Sequence, residues 1–196
     1  MAFVAPTPSV IPRLVPIDIF VLAGAYAWTH WYIKRDNISM EKPFQDIVAA
    51  IEEFAATASD VESVQAFTVE LMAKSLSYYN WVGFYMLDPQ DSEVLVLGPF
   101  HGAPTEHVRI PVNEGICGAA VAQGETIVID DVNADPRYLA CSIETRSEIV
   151  VPIRAHGQIV GEIDIDSHDL HAFDEDDRTF VERCAAIFGT LMEARG

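Results

Sequence analysis

Four carboxylates and one thiol crowd into a short stretch of this chain. Glu148, Glu162, Asp164 and Asp166 fall at even positions of two runs, 148–153 and 159–166, whose odd positions are Ile149, Val151, Ile153, Ile159, Gly161, Ile163 and Ile165. The period of two predicts a β-hairpin with one apolar face and all four acids on the other. Crowded carboxylates cannot all ionise cheaply, so at least one should hold its proton more tightly than a free acid. Cys141 lies on the loop that feeds the hairpin. A thiol beside acids that donate or share protons is a constellation for nucleophilic chemistry with proton transfer. Taken alone, the hairpin is more simply read as an acidic solvent face beside an ordinary thiol.

The register follows from keeping odd residues opposite odd residues. A three-residue loop, Ala155 to Gly157, achieves this, with Gly157 in the left-handed position. Arg154 then faces Gln158, and Glu148 faces Asp164. A two-residue His156-Gly157 turn would bring Asp164 beside Ile149.

The elements that must position these groups can be read from the rest of the chain. Its 196 residues suit one domain with an appendage, and half are hydrophobic. A net charge of −18 argues against a nucleic-acid partner. Three oddly spaced cysteines make no disulfide framework, and no ligand spacing suggests a metal, including one built from His107 and the cysteines. Residues 1–40 stand apart: Pro6, Pro8, Pro12 and Pro16 are followed by an apolar, aromatic run over 14–33. Pro16, Asp18 and His30 interrupt that run, so a membrane anchor is disfavoured. A signal peptide starting at Arg13 is the other alternative. We read 1–40 as an N-terminal extension and 41–196 as the domain, with a cytoplasmic location expected; residues 13–33 acting as signal or anchor would instead export or tether the protein.

Within the domain, Pro43 opens a helix to about Thr57, and Asp60 caps a second helix with the stripe Val61, Val64, Phe67, Leu71 and Leu76. Strands are expected at 81–87, 94–97, 108–112 and 125–130. On the first, Trp81, Gly83 and Tyr85 share a face, assigned to a pocket, against Val82, Phe84 and Met86. A short helix is expected at 115–122 with Gly124 as its stop. Residues 131–146 form a long irregular connection, of the kind that often carries function. Asp174 caps a last helix whose apolar side is Phe180, Cys184, Ile187, Phe188 and Leu191, so Cys184 reads as core filler. The class is α+β, an antiparallel sheet flanked by helices.

Seven blocks in this order resemble a known family: Asn80 to Tyr85, Leu97 to Phe100, Val108 to Val112, Gly115 to Ala120, Ala140-Cys141, Ser147 to Pro152 and Asp164 to Ser167. The chain from about Glu41 to Arg195 resembles GAF domains, and more narrowly the free methionine-(R)-sulfoxide reductases. The resemblance implies a GAF-like fold and thiol-dependent reduction of free methionine-(R)-sulfoxide. It matches Cys141 to the catalytic nucleophile and Cys117 to an accessory cysteine able to form the disulfide. It matches Glu148, Asp164 and Asp166 to the carboxylates that hold and protonate substrate, and Trp81 and Tyr85 to the pocket wall. Many members carry a further cysteine just before the 108–112 block; here His107 stands there, in a segment one residue longer, which leaves resolution to Cys117.

The chemistry needs these groups. A thiolate attacks the sulfoxide sulfur, and the oxygen leaves only with protons. The sulfenic acid on Cys141 condenses with a thiol, and an external dithiol such as thioredoxin restores the enzyme without a cofactor. The substrate ammonium can pair with the remaining acids. Its carboxylate can take backbone donors where the helix starts at Ile116, with Gly115 and Gly118 keeping the backbone accessible. Because acids raise a thiol's pKa, Cys141 is expected to activate mainly on substrate binding. No second domain is expected after the last helix, which favours the enzyme over the alternative, a non-catalytic GAF sensor of a small molecule or of redox state. A homodimer is left open.

Overall fold

The computed structural model describes residues 40–139 and 142–195. Expectations for residues 1–39 and for Cys141 therefore lie outside the described residues. Two helices come first, α1 (Lys42–Thr57) and α2 (Val61–Ser75). Pro43 sits in the first turn of α1, where its missing N–H costs nothing. Asp60 caps α2, its Oδ1 accepting from the Ser63 amide at 2.7 Å. The buried residues of α2 are Val64, Gln65, Thr68, Val69 and Met72, a stripe rotated from the expected one. Phe67 is only half-buried because it turns toward α1 and stacks on Phe54 at 4.4 Å.

Six strands follow: β1 (Trp81–Asp88), β2 (Asp91–His101), β3 (Arg109–Pro111), β4 (Ile127–Ile129), β5 (Ser147–Ala155) and β6 (Gln158–Ser167). The helix α3 (Gly115–Gln123) lies between β3 and β4, and α4 (Glu175–Arg195) closes the domain. Gly124 ends α3 in the left-handed conformation at φ 68°. Asp174 caps α4, accepting from the amides of Asp176 and Asp177. The strands form one antiparallel sheet in the order β3-β2-β1-β6-β5-β4, so the two long hairpins meet along β1 and β6.

The β5–β6 hairpin departs from the expected loop. Ala155 pairs with Gln158 across a two-residue turn, His156-Gly157, with φ of 49° and 75°. Positive φ at both positions is the twist-matched hairpin turn, and Gly157 suits it. A bulge then restores odd-to-odd pairing, because Arg154 faces Ile159 while Ile153 faces Gly161, leaving Val160 as the extra residue. The acid partners shift accordingly: Glu148 faces Asp166, and Asp164 faces Val150. Beyond the bulge, odd residues of β5 pair with odd residues of β6 as the alternation predicts, but the bulge rather than a longer loop enforces it.

Both faces of the sheet are covered. On one face, Val82, Phe84, Ile149, Val151, Ile153, Ile163 and Ile165 join buried residues of α1, α2 and α4. Phe44 of α1 stacks on Phe180 of α4 at 4.6 Å, and Cys184 is fully buried in this layer, where burial pushes its thiol pKa up. On the other face, Trp81, Tyr85, Leu95, Val150 and Ile110 pack with Ile116, Cys117, Ala120 and Val121 of α3 and with Val132. The acids of β5 and β6 belong to this second face, so they are enclosed rather than solvated. Among the described residues no helix is long and apolar enough to cross a membrane.

Candidate active site

Glu162, Asp164 and Asp166 project from successive even positions of β6, at the centre of the sheet. Across one border Tyr85, Gly83 and Trp81 of β1 face them in turn; across the other stand Pro152, Val150 and Glu148 of β5. All four acids are 0–4 % exposed. The strand parity that hid the isoleucines on one side therefore drove four carboxylates into the other buried layer.

The thiol of Cys117 descends on them from the first turn of α3, donating to Asp164 Oδ2 at 3.5 Å and lying 3.9 Å from Glu148 Oε1. Gly118, one residue on, is pressed against the backbone of Pro111 and Asn113: a Cβ there would come within 2.6 Å of the Pro111 carbonyl oxygen. That glycine seats α3 against the sheet edge, which is a packing reason, and not the expected opening of the backbone to a ligand. Ile116 is 2 % exposed and part of the same apolar layer.

The electrostatics follow from enclosure. Burial raises Glu148 well above the usual carboxylate range, and the charges of Asp164, Asp166 and Glu162 add to this. Glu162 rises for the same two reasons, burial and then Asp164, eased slightly by the Cys117 thiol. Burial pushes Asp164 up to about 7, with the Cys117 hydrogen bond opposing. Asp166 is raised by burial and by Asp164, against a hydrogen bond from Thr145. Neither oxygen of Glu162, nor Oδ1 of Asp164, has a sound hydrogen-bond partner among the described residues. Burial thus favours the protonated form of all four acids over the charged one.

Two aromatic residues build the wall beside it. The rings of Trp81 and Tyr85 lie near-parallel at 6.2 Å, and Phe100 stacks on the outer face of Trp81 at 5.5 Å. Their polar ends are engaged: Trp81 Nε1 donates to the Ala103 carbonyl at 3.1 Å and Tyr85 Oη to the His107 carbonyl at 2.8 Å. Both therefore tether the connection between β2 and β3. His107 contributes its backbone to this tether, and its amide donates to Thr105 Oγ1.

A cavity of about 200 Å3 opens over Trp81 and Asp166. Ala103 and Thr105 form one side, Ser142, Glu144 and Thr145 another, and Asn80 and His168 the rest. The connection that contains position 141 thus supplies part of the lining. On its inner side, Leu139 packs against Gly115 at the start of α3. Thr145 is a site contact that sequence reasoning missed; it is 3 % exposed and hydrogen-bonded to Asp166, and nothing in its local pattern signals this. Glu162 was grouped with the other acids by parity, yet only burial reveals that it is as enclosed as they are.

Comparison with known proteins fits this arrangement. Residues 60–191 match the GAF domain family. The free methionine-R-sulfoxide reductase of Escherichia coli is 35% identical over 147 residues, covering 75% of this chain and 82% of that protein. The Saccharomyces cerevisiae enzyme of the same name is 42% identical over 109 residues, 55% of this chain and 60% of that protein. Among solved structures, the free methionine-R-sulfoxide reductase from Neisseria meningitidis in complex with its substrate superposes with a TM-score of 0.73 at 37% identity, covering 80% and 93% of the two chains. A family match over 60–191 and this level of identity and structural overlap lead to one conclusion: the chain belongs to the GAF-domain free methionine-R-sulfoxide reductases, a family of oxidoreductases.

Proposed function

We propose that this protein reduces free L-methionine-(R)-sulfoxide to methionine, with Cys141 as nucleophile and Cys117 as the resolving thiol. The Cys141 sulfur attacks the sulfoxide sulfur and forms a transient S–S bond; the protonated oxygen then passes to the Cys141 sulfur as the S–O and S–S bonds to the methionine sulfur break. The oxygen ends on Cys141 as a sulfenic acid, and methionine leaves. Two electrons have passed from the thiol to the substrate. A carboxylic acid among Glu148, Asp164 and Asp166 protonates the departing oxygen, and the Cys141 thiol proton replaces the one it gave. The Cys117 thiol then attacks the sulfenic sulfur, water leaves and a disulfide forms. An external dithiol of the thioredoxin class reduces that disulfide by exchange, as a reducing compartment such as the cytoplasm would allow.

The observation that carries this reading is the enclosed acid quartet in hydrogen-bond reach of a thiol. A sulfoxide oxygen is a poor leaving group until protonated, and burial keeps these acids protonated near neutral pH. The same acids, once one or two ionise, offer a counter-charge for the substrate ammonium. Trp81 offers an apolar wall for the methyl and methylene groups.

The test supplies free methionine-R-sulfoxide with dithiothreitol and follows methionine. The wild type should turn over, Cys141→Ser should not, and the S epimer should react far more slowly. Absence of product from the wild type overturns the reading. Peptide mapping after one oxidising turnover should find Cys117 linked to Cys141. A link to Cys184, which lies in the layer beneath the opposite face of the sheet, would remove Cys117 from the mechanism.

A further inference from the structure

Beyond sulfoxide chemistry, we infer that the reduced protein holds one borderline-soft divalent cation of the zinc class between Cys117 Sγ, Glu148 and Asp164. One sulfur and two carboxylate oxygens from these residues lie within 4.8 Å of one another. Tetrahedral zinc, with about 2.3 Å to sulfur and about 2.0–2.2 Å to carboxylate oxygen, sets neighbouring ligand atoms about 3.5 Å apart. The Cys117–Asp164 separation is already 3.5 Å and the Cys117–Glu148 separation 3.9 Å, with the two carboxylate oxygens within 4.8 Å of each other, so a contraction brings the three ligand atoms to such a site.

A second observation points the same way. Glu162 stands outside this trio and is fully buried, and neither of its oxygens has a hydrogen-bond partner of sound geometry among the described residues, the Cys117 thiol alone lying near enough to ease it; Asp164 Oδ1 is likewise unsatisfied. Buried carboxylate oxygens left in this state normally carry a partner. No ion pair among the described residues engages any of the four acids; the cation whose charge acts on Glu148, Arg137, has its guanidinium held by Asp135 through Nε and Nη2. Among the described residues no cation is paired with the four acids, and their site offers hard oxygen and soft sulfur donors together, the donor mix zinc accepts.

The ligands come from α3, β5 and β6, far apart in sequence, so no spacing motif could announce them. On binding, the metal takes the sulfur lone pair as the thiol releases its proton, and displaces any proton held by Glu148 and Asp164. Thiolate and two carboxylates give −3 against +2, and Glu162 can stay neutral. The metal occupies the acids that a substrate ammonium would need. Inhibition of sulfoxide reduction, competitive with substrate, is the consequence, and that clause alone rests on the proposed function.

The binding test needs no turnover. Reduced, chelator-stripped full-length protein is titrated with Co2+ and followed by its thiolate-to-cobalt charge-transfer absorption, then challenged with Zn2+. The expected result is one equivalent bound per chain, displacement of cobalt by zinc, and loss of the band in Cys117→Ser but not in Cys184→Ala. Glu148→Gln and Asp164→Asn should each weaken affinity at least tenfold. A wild type without the band, or a band that survives Cys117→Ser, overturns the inference. Should Cys117→Ser fail to fold, the two carboxamide variants decide, and unchanged affinity in both overturns it. Zinc that binds as expected without slowing methionine formation would refute the competition while leaving the site intact.

Discussion

Neutralising Asp164 should make the protein more stable at neutral and alkaline pH, although it removes a hydrogen-bond acceptor. Burial lifts the Asp164 carboxyl from 3.8 to about 7 in the folded state. Below the lower value both folded and unfolded chains hold the proton. Between the two values the folded chain keeps it and the unfolded chain has lost it. The unfolded state then binds fewer protons, so stability falls as pH rises, until the folded carboxyl also ionises near 7. Three pH units at roughly 1.4 kcal/mol each come to about 4 kcal/mol, and about 2–4 kcal/mol once the neighbouring acids share protons with Asp164. Asp164→Asn has the same shape and is neutral at every pH. At pH 4 or below, where both folded and unfolded chains hold the proton, the variant and the wild type should unfold at similar urea concentrations under reducing conditions. Near pH 8 the variant should be more stable by that amount, equivalent to a melting temperature higher by roughly 5–15 °C for a chain of this size. Parallel pH dependences for the two proteins would show that Asp164 ionises freely in the fold, and the account of the enclosed quartet would fail.

Other outcomes follow from separate contacts. The reductase rate at low substrate should fall as pH rises above about 7, because the proton donor is lost as the carboxyl ionises; a profile that climbs smoothly through that range would exclude an acid of this group as donor. Trp81→Phe keeps the apolar wall but loses the hydrogen bond to the Ala103 carbonyl, about 1 kcal/mol, so KM should rise roughly fivefold with kcat little changed, as steady-state kinetics will read. Asp177→Ala strips Tyr78 and Tyr79 of their shared acceptor, held at 2.7 and 2.9 Å, and should cost about 2–4 kcal/mol in urea unfolding at neutral pH. Gly189→Ala should also destabilise, by about 1–3 kcal/mol or more, since its Cβ would sit 2.0 Å from the Arg154 carbonyl oxygen where α4 crosses β5; an unchanged melting temperature would deny that crossing.

The local code was legible wherever one residue type answers one local need. Pro43, Asp60, Gly124 and Asp174 mark helix ends, and each does so in the fold. Alternation alone separated Val82 and Phe84 from Trp81 and Tyr85, and the isoleucines of β5 and β6 from the acids. The blocks spanning Asn80 to Ser167 carry the family resemblance in the sequence alone. Strand period and cap chemistry depend on neighbours within a few residues, so one chain read in order reveals them.

Tertiary structure alone decided what those faces meet. Nothing in the period-two pattern distinguishes an acidic face in water from one roofed by a helix, and α3 with Cys117 made the difference by covering Glu148, Glu162, Asp164 and Asp166. The same holds for Val160, whose bulge sets Glu148 opposite Asp166, and for Thr145, which reaches Asp166 only because the connection folds back over β6. A carboxylate's pKa depends on the dielectric and charges around it, and both are sums over residues brought together from distant parts of the chain. Order along the chain tells which groups are present; packing sets how tightly they hold their protons.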